Sequence, residues 1–290
     1  MVYTEIRSKN KVLTIGHDLP VAIIGERINP TGKKKLGEAL LAGDFELVKR
    51  EAINQVKYGA DALDINVGVA GADEVSLLPK VVKLVAETVD VPLCIDSSHP
   101  RALAAALEVY EGKALVNSVT GEEKSLVSIL PVVKEHGAAV VGLVMDEDGI
   151  APNPDKRLAI ASKIVERAEQ MGIERSDVII DCVTMTVSSD PQAALVTLKT
   201  IEKVVAELGT NIILGVSNVS FGLPDRPSIT RTMLAMAIKA GLTCVIMDPT
   251  AEGMRRTVKG ADLLLGKDQW GLNYLNDYRE YSELHSGNAS

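Results

Sequence analysis

Short apolar runs alternate with amphipathic stretches along nearly the whole chain. From Val21 onward the runs fall at residues 21–24, 62–68, 91–98, 114–118, 138–145, 178–181, 212–214 and 244–248. Between them, apolar positions recur at helical spacing near 44–58, 73–88, from Pro100 on, and near 124–136, 156–171, 191–208, 228–240 and 252–265. The runs are rich in β-branched residues, as strands covered on both faces must be. Each strand–helix unit is about 30 residues long, the length of a right-handed crossover. Eight such units predict an α/β fold, a closed (β/α)8 TIM barrel. Its competitor, an open doubly wound sheet, calls for a glycine fingerprint after the first strand, and Gly25-Glu26-Arg27-Ile28-Asn29 lacks it.

The flanks add detail. Residues 2–16 predict a hairpin around Ser8-Lys9-Asn10-Lys11, placed to cover one end of the core. Lys33-Lys34-Lys35 falls in an expected long loop, open to an acidic partner or merely solvated, and Asp44 caps the next helix. After residue 267, Trp270, Tyr274 and Tyr278 mark one more helix before a disordered tail from Ser286. No linker or charge block divides the chain, so residues 1–290 are expected to form a single domain, with the hairpin in 1–20 and the last helix and tail in 268–290.

Composition narrows the class. A net charge of −8 argues against a nucleic-acid partner, and 3% aromatic residues provide little for stacking bases. No apolar run is long enough to span a membrane, and the first residues lack the pattern of a signal peptide. Cys94, Cys182 and Cys244 lie inside strand runs, which suggests buried reduced thiols and a cytoplasmic location.

In barrels of this kind the chemistry gathers at the carboxyl ends of the strands. Those ends carry Glu26 or Asn29, Asp64 with Asn66, Asp96, Asn117, Asp146, Asp181, Ser217 with Asn218, and Asp248. Taken singly, an Asp after a strand is an ordinary turn residue, and Asp248 invites that reading. Together they form a ring of acceptors and carboxamides suited to the edge of a flat heterocycle bearing amino, ring N–H and carbonyl groups. Zinc would want histidine, and only His99 lies near, so no metal of the chain's own is expected. A carboxylate-held magnesium site is the remaining metal alternative. No strand ends in a Schiff-base lysine, and no glycine-rich loop places a lysine for phosphate.

Ile24-Gly25-Glu26-Arg27-Ile28-Asn29-Pro30-Thr31-Gly32 resembles the opening of the folate-binding domain of cobalamin-dependent methionine synthase. Ala62 to Gly68, Leu93 to Ser97, Val116-Asn117-Ser118 and Gly215 to Ser220 are similar to the methyltetrahydrofolate:corrinoid methyltransferases, and the similarity runs from about Val21 to Lys267. The resemblance implies a homodimeric, pterin-binding barrel that moves a methyl group between N5 of tetrahydrofolate and cobalt. It implies that Asp96, Asn117 and Asp181 hold the pterin, that Gly215, Ser217 and Asn218 lie at its reacting edge with Asn218 assisting at N5, and that Arg226, in the loop after strand seven, lies near the folate. No counterpart of the corrinoid- or zinc-binding modules of full methionine synthase is seen, so cobalt is expected on a separate corrinoid protein. Two alternatives stand beside this reading. A dihydropteroate synthase-like enzyme would need basic residues for pyrophosphate where strands seven and eight end, at Ser217-Asn218 and Met247-Asp248-Pro249. A folate-binding subunit without activity would bind tetrahydrofolate and transfer nothing.

Overall fold

The computed structural model describes residues 2–286, with side chains placed as far as Glu280. The chain begins with the antiparallel hairpin β1 (Thr4–Arg7) and β2 (Val12–Ile15). Eight parallel strands then close on themselves: β3 (Ala22–Ile28), β4 (Ala62–Asn66), β5 (Leu93–Asp96), β6 (Leu115–Thr120), β7 (Ala139–Leu143), and, after the two-residue pair β8 (Met145–Asp146) and β9 (Gly149–Ile150), β10 (Val178–Asp181), β11 (Asn211–Gly215) and β12 (Cys244–Met247). β12 pairs with β3 to complete the barrel. The fold is the expected TIM barrel with an N-terminal hairpin.

The helices are α1 (Lys34–Ala42), α2 (Glu46–Lys57), α3 (Glu74–Thr88), α4 (Pro100–Glu108), α5 (Glu123–Glu135), α6 (Pro154–Gln170), α7 (Ala193–Leu208), α8 (Arg226–Ala240), α9 (Met254–Leu264) and α10 (Leu272–Ser286). Local chemistry explains several starts. Asp73 accepts from Val75 N–H and Asn153 from Lys156 N–H, while Pro100 and Pro154 open α4 and α6 where a missing N–H costs nothing. Asp44 is not the cap expected of it: Phe45 takes that position without a side-chain cap, and Asp44, one residue earlier, accepts from Glu46 N–H at 3.1 Å.

Two further expectations need correction. The loop expected at Lys33-Lys34-Lys35 is short, because Lys34 already begins α1, whose buried face rests on only Leu36, Gly37 and Leu40. The fifth strand stops at Leu143 rather than Met145, because Met145 and Asp146 pair with Ile150 and Gly149 instead. Of the expected tail, Ser286 closes α10 and the remainder lies outside the described residues.

Strand alternation creates two cores. One lies between strands and helices, built from residues such as Ile23, Leu63, Leu93, Ile95, Val140 and Ile180. The other fills the barrel: Ala22, Ile24, Ala62, Cys94, Leu115, Ala139, Val141, Ile179, Ile213 and Cys244, joined by Ile6 and Ile15 of the hairpin. The hairpin therefore closes the amino-terminal end of the lumen. It is tied there by Asn211 Nδ2, which donates to Thr4 Oγ1 at 2.9 Å and to Ile15 O at 3.0 Å. All three cysteines are free and buried. Among the described residues, no helix is long and apolar enough to cross a membrane.

Candidate active site

Two residues beyond each lumen-filling side chain, the same face of the strand carries polar chemistry. Ile24 is followed by Glu26, Ala62 by Asp64, Cys94 by Asp96, Leu115 by Asn117, Ile179 by Asp181 and Ile213 by Gly215. Period-two alternation thus lifts an apolar floor into a polar layer at the carboxyl-terminal mouth. β7 and β12 are the exceptions, since their inward positions are Ala139 and Val141 in the one and Cys244 and Ile246 in the other.

On one side of the mouth the carboxylates are held by carboxamides. Asn117 Nδ2 donates to Asp64 Oδ1 at 3.2 Å, and Asn66 Nδ2 donates to Asp96 Oδ2 at 2.9 Å. Asn66 Oδ1 in turn accepts from Gly68 N–H. Asp64 is 2% exposed. Burial, then the nearby Asp96 carboxylate, pushes its pKa well above the carboxylate range, and burial raises that of Asp96 too. Asp181 is raised to about 6 by burial, against the pull of Val183 N–H at 2.8 Å and of Arg157.

The other side, formed by β11, β12 and β3, is open. A register shift in β3 between Gly25 and Ile28 turns Ile28 out into the helix-side core and leaves Glu26 at the mouth. Arg27 donates to Glu51 through Nε at 2.6 Å and Nη2 at 3.2 Å, and to Asp248 through Nη1 at 2.6 Å. Beside this pairing lies a cavity of about 600 Å³ lined by Glu26, Ser217, Arg226, Arg231, Met247 and Asp248, among others. Burial raises the Glu26 carboxyl to about 7, with Asp248 adding to the shift and Lys33, Arg226 and Arg27 opposing it.

Asn218 lies in a 3-10 turn, Val216–Ser220, directly after β11, and its side chain is exposed. A Cβ on Gly215 would meet only Asn218 Nδ2, at 3.7 Å, so the space before this glycine is free for a ligand. Arg226 is not in a loop as expected but opens α8. It donates to Ser217 O at 3.0 Å and Ser220 Oγ at 3.2 Å, and lies over the Phe221 ring at 5.5 Å.

The remaining strand-end candidates have structural duties. Asn29 accepts from Thr31 N–H in a turn. Asp146 is not at a barrel strand end at all; it sits in β8 and accepts from Asp148 N–H. Asp248 accepts from Thr250 N–H and Oγ1 as well as from Arg27, the turn role its position suggested, yet it also faces the cavity. His99 caps α4. Lys33 is not a free surface cation, for its ammonium donates to Arg27 O at 3.0 Å and Glu26 O at 3.4 Å. Among the described residues, no group of three or more His, Cys, Asp or Glu side chains is arranged to hold a metal ion.

Two supporting residues escape a reading of strand ends. Arg157, 2% exposed, donates to Ala151 O, Cys182 O and Val183 O, and so fixes the turn after Asp181, where Val183 takes φ 56°. Gln55, fully buried on α2, accepts from Arg27 N–H at 2.8 Å, and it approaches Gly25 so closely that a Cβ there would collide. The signal for Gln55 is an amide interrupting the buried stripe Val48, Ala52, Gln55.

The family model described as "Pterin binding enzyme" matches residues 25–248. The chain belongs to this family. It is 29% identical over 266 residues to a methylcorrinoid:tetrahydrofolate methyltransferase of Eubacterium limosum, covering 89% of this chain and 96% of the relative. It is 30% identical over 257 residues to methionine synthase of Mycobacterium tuberculosis, covering 83% of this chain but only 21% of that much longer protein. The first of these relatives is a methyltransferase by name. Among solved structures, dihydropteroate synthase of Stenotrophomonas maltophilia superposes with a TM-score of 0.68 at 18% identity, covering 90% of this chain and 98% of that one. At such identity the likeness establishes the shared barrel fold and no more.

Proposed function

We propose that this pterin-binding barrel transfers a methyl group between N5 of tetrahydrofolate and the cobalt of a corrinoid carried on a separate protein. The observation that carries the reading is the polar layer itself. Asp96, Asn117 and Asp181 stand at equivalent lumen positions of β5, β6 and β10, beside the bare backbone of Gly215. In this reading those three side chains bind the donor and acceptor edge of the pterin, with Asp64 and Asn66 orienting Asn117 and Asp96 by the hydrogen bonds described above. The likeness to a methylcorrinoid:tetrahydrofolate methyltransferase along most of both chains supports the choice of reaction. We also infer a homodimer, from the resemblance, a cytoplasmic location, from the three free buried cysteines, and a single unit over residues 1–290, from the lack of a dividing linker.

Charge at N5 changes only while the N–CH₃ bond forms or breaks. A carboxamide aimed at that atom stabilises the transition state more than the bound folate, and in this reading Asn218, exposed in the turn after β11, is that carboxamide. The remaining gain comes from presenting N5 and the methylated cobalt in line.

The reading is tested by mixing the protein with methylcobalamin and tetrahydrofolate, following the cobalt spectrum and assaying 5-methyltetrahydrofolate. Stoichiometric appearance of Co(I) and methylated folate is expected. Tight folate binding without transfer would select the non-catalytic subunit. Condensation of a pterin pyrophosphate with 4-aminobenzoate would select the dihydropteroate synthase-like alternative.

A further inference from the structure

The mouth contains four lumen-facing carboxyl groups, and three of them are committed. Asp64 accepts from Asn117, Asp96 from Asn66, and Asp181 from the Val183 amide. Glu26 differs: its carboxyl has no hydrogen-bond partner among the described residues. Lys33 donates to the backbone carbonyl of Glu26, not to its carboxyl. Its side chain borders the large cavity together with Arg226 and with Ser217, the residue before Asn218. A carboxyl so placed is free to turn toward a ligand and free to change its charge.

We propose that Glu26 is the group that exchanges the N5 proton during methyl transfer, a step that rests on the methyltransferase reading above. Going toward folate, the N5 lone pair forms the N–CH₃ bond. The cobalt–carbon bond breaks with its electron pair left on cobalt, giving Co(I), and the N5 proton passes to the Glu26 carboxylate. In the reverse direction the Glu26 carboxyl returns the proton to N5 as Co(I) takes the methyl group. Asn218 then has a partner role, since a carboxamide bonds N5 or its proton but cannot supply one.

The surroundings suit a group that must be present in both forms at neutral pH. Burial favours the neutral acid, as does Asp248 after β12, and the Glu26 carboxylate in turn works against ionising Asp64 on β4. Lys33 ahead of α1, Arg226 at the start of α8 and Arg27 on β3 favour the carboxylate, and Arg27 is itself largely neutralised by Glu51 on α2. These opposing influences leave the carboxyl near 7, where an acid–base catalyst is most effective.

The experiment is single-turnover transfer in both directions across pH 5.5–8.5 (roughly one to two units either side of that value). It uses methylcobalamin with tetrahydrofolate, and cob(I)alamin with 5-methyltetrahydrofolate. In the wild-type protein, transfer to folate should rise with pH through about 7, because the carboxylate accepts, and transfer from folate should fall through the same point. Glu26→Gln should slow both directions by about a hundredfold or more and remove both pH dependences, the usual scale for loss of a general acid–base group. Its calorimetric affinity for tetrahydrofolate should stay within about threefold of wild type, which separates proton transfer from binding. Glu26→Asp, which keeps an ionisable group, should retain a pH dependence at reduced rate. Glu26→Gln with wild-type rates and profiles, or with equal losses in affinity and rate, overturns the proposal while leaving the methyltransferase reading intact. A wild-type protein that binds folate and transfers nothing ends both.

Discussion

The two ends of the barrel lumen use the same strands for opposite purposes. At the amino-terminal end, Ile6 and Ile15 of the hairpin pack on Ala22, Leu115, Ile179 and their neighbours, and each buried aliphatic side chain contributes about 1.5–3 kcal/mol relative to exposure. At the carboxyl-terminal end, one step along the pleat, Asp64 and Asp96 are taken out of water, which raises the energy of their charged forms more than their hydrogen bonds to Asn117, Cys94 and Asn66 lower it. The floor stabilises the fold, whereas the mouth holds groups that stability alone would not retain. Polarity along a single strand separates the two tasks.

Substitutions at either end should respect that division. Ile6→Ala, at a fully buried site, should cost about 2–5 kcal/mol in denaturant unfolding and leave folate affinity unchanged. A loss of affinity matching the loss of stability would mean that the plug shapes the mouth. At the other end, Asn218→Ala should lower single-turnover transfer by about 10²–10³-fold while folate binds within about tenfold of wild type. Asp96→Ala, Asn117→Ala and Asp181→Ala should show the converse, each weakening folate binding by roughly 0.5–3 kcal/mol with little change in melting temperature. Wild-type affinity in all three by calorimetry would remove the pterin assignment.

A smaller effect distinguishes the ends by pH. Asp64 is raised in the folded protein, so its contribution to stability is full below its unfolded value, near 3.8, and is lost as pH rises toward its folded value. Asp64→Asn removes that loss. The melting temperature of the variant, relative to wild type, should therefore be higher at pH 8 than at pH 5, by roughly 2–4 °C for each kcal/mol recovered. A pH-independent difference would show that the Asp64 and Asp96 charges are borne without cost.

Much of this architecture is legible in the sequence because parallel strands buried on both faces leave long apolar runs. The eight runs, their polar ends and the hairpin all follow from that. What escaped reading had weak or divided signals. α1 buries only two large apolar residues, Leu36 and Leu40, behind three lysines, so it resembles a loop. β3 continues through Glu26 and Arg27, because its register shift lets polar residues extend a strand without entering the core. Asp146 looked like a strand end because the apolar run of β7 continues past Leu143, and only long-range pairing shows where the barrel strand stops. Arg157 gave no signal, since a guanidinium bound only to backbone carbonyls has no partner side chain to search for.

The anchor of the hairpin also sets an order of events during folding. Thr4 and Ile15 are held by Asn211, and Thr4 Oγ1 donates to Ser176 O across 172 positions. The first element made is thus among the last to be seated, because its dock does not exist until β11 emerges. Until then the apolar lumen floor and the hairpin's own Ile6 and Ile15 have no final partners, so the nascent chain carries two sticky surfaces through most of its synthesis. The seal on the floor of the barrel is therefore a measure of completion: its protection from hydrogen exchange should appear only with the closed barrel, never before it.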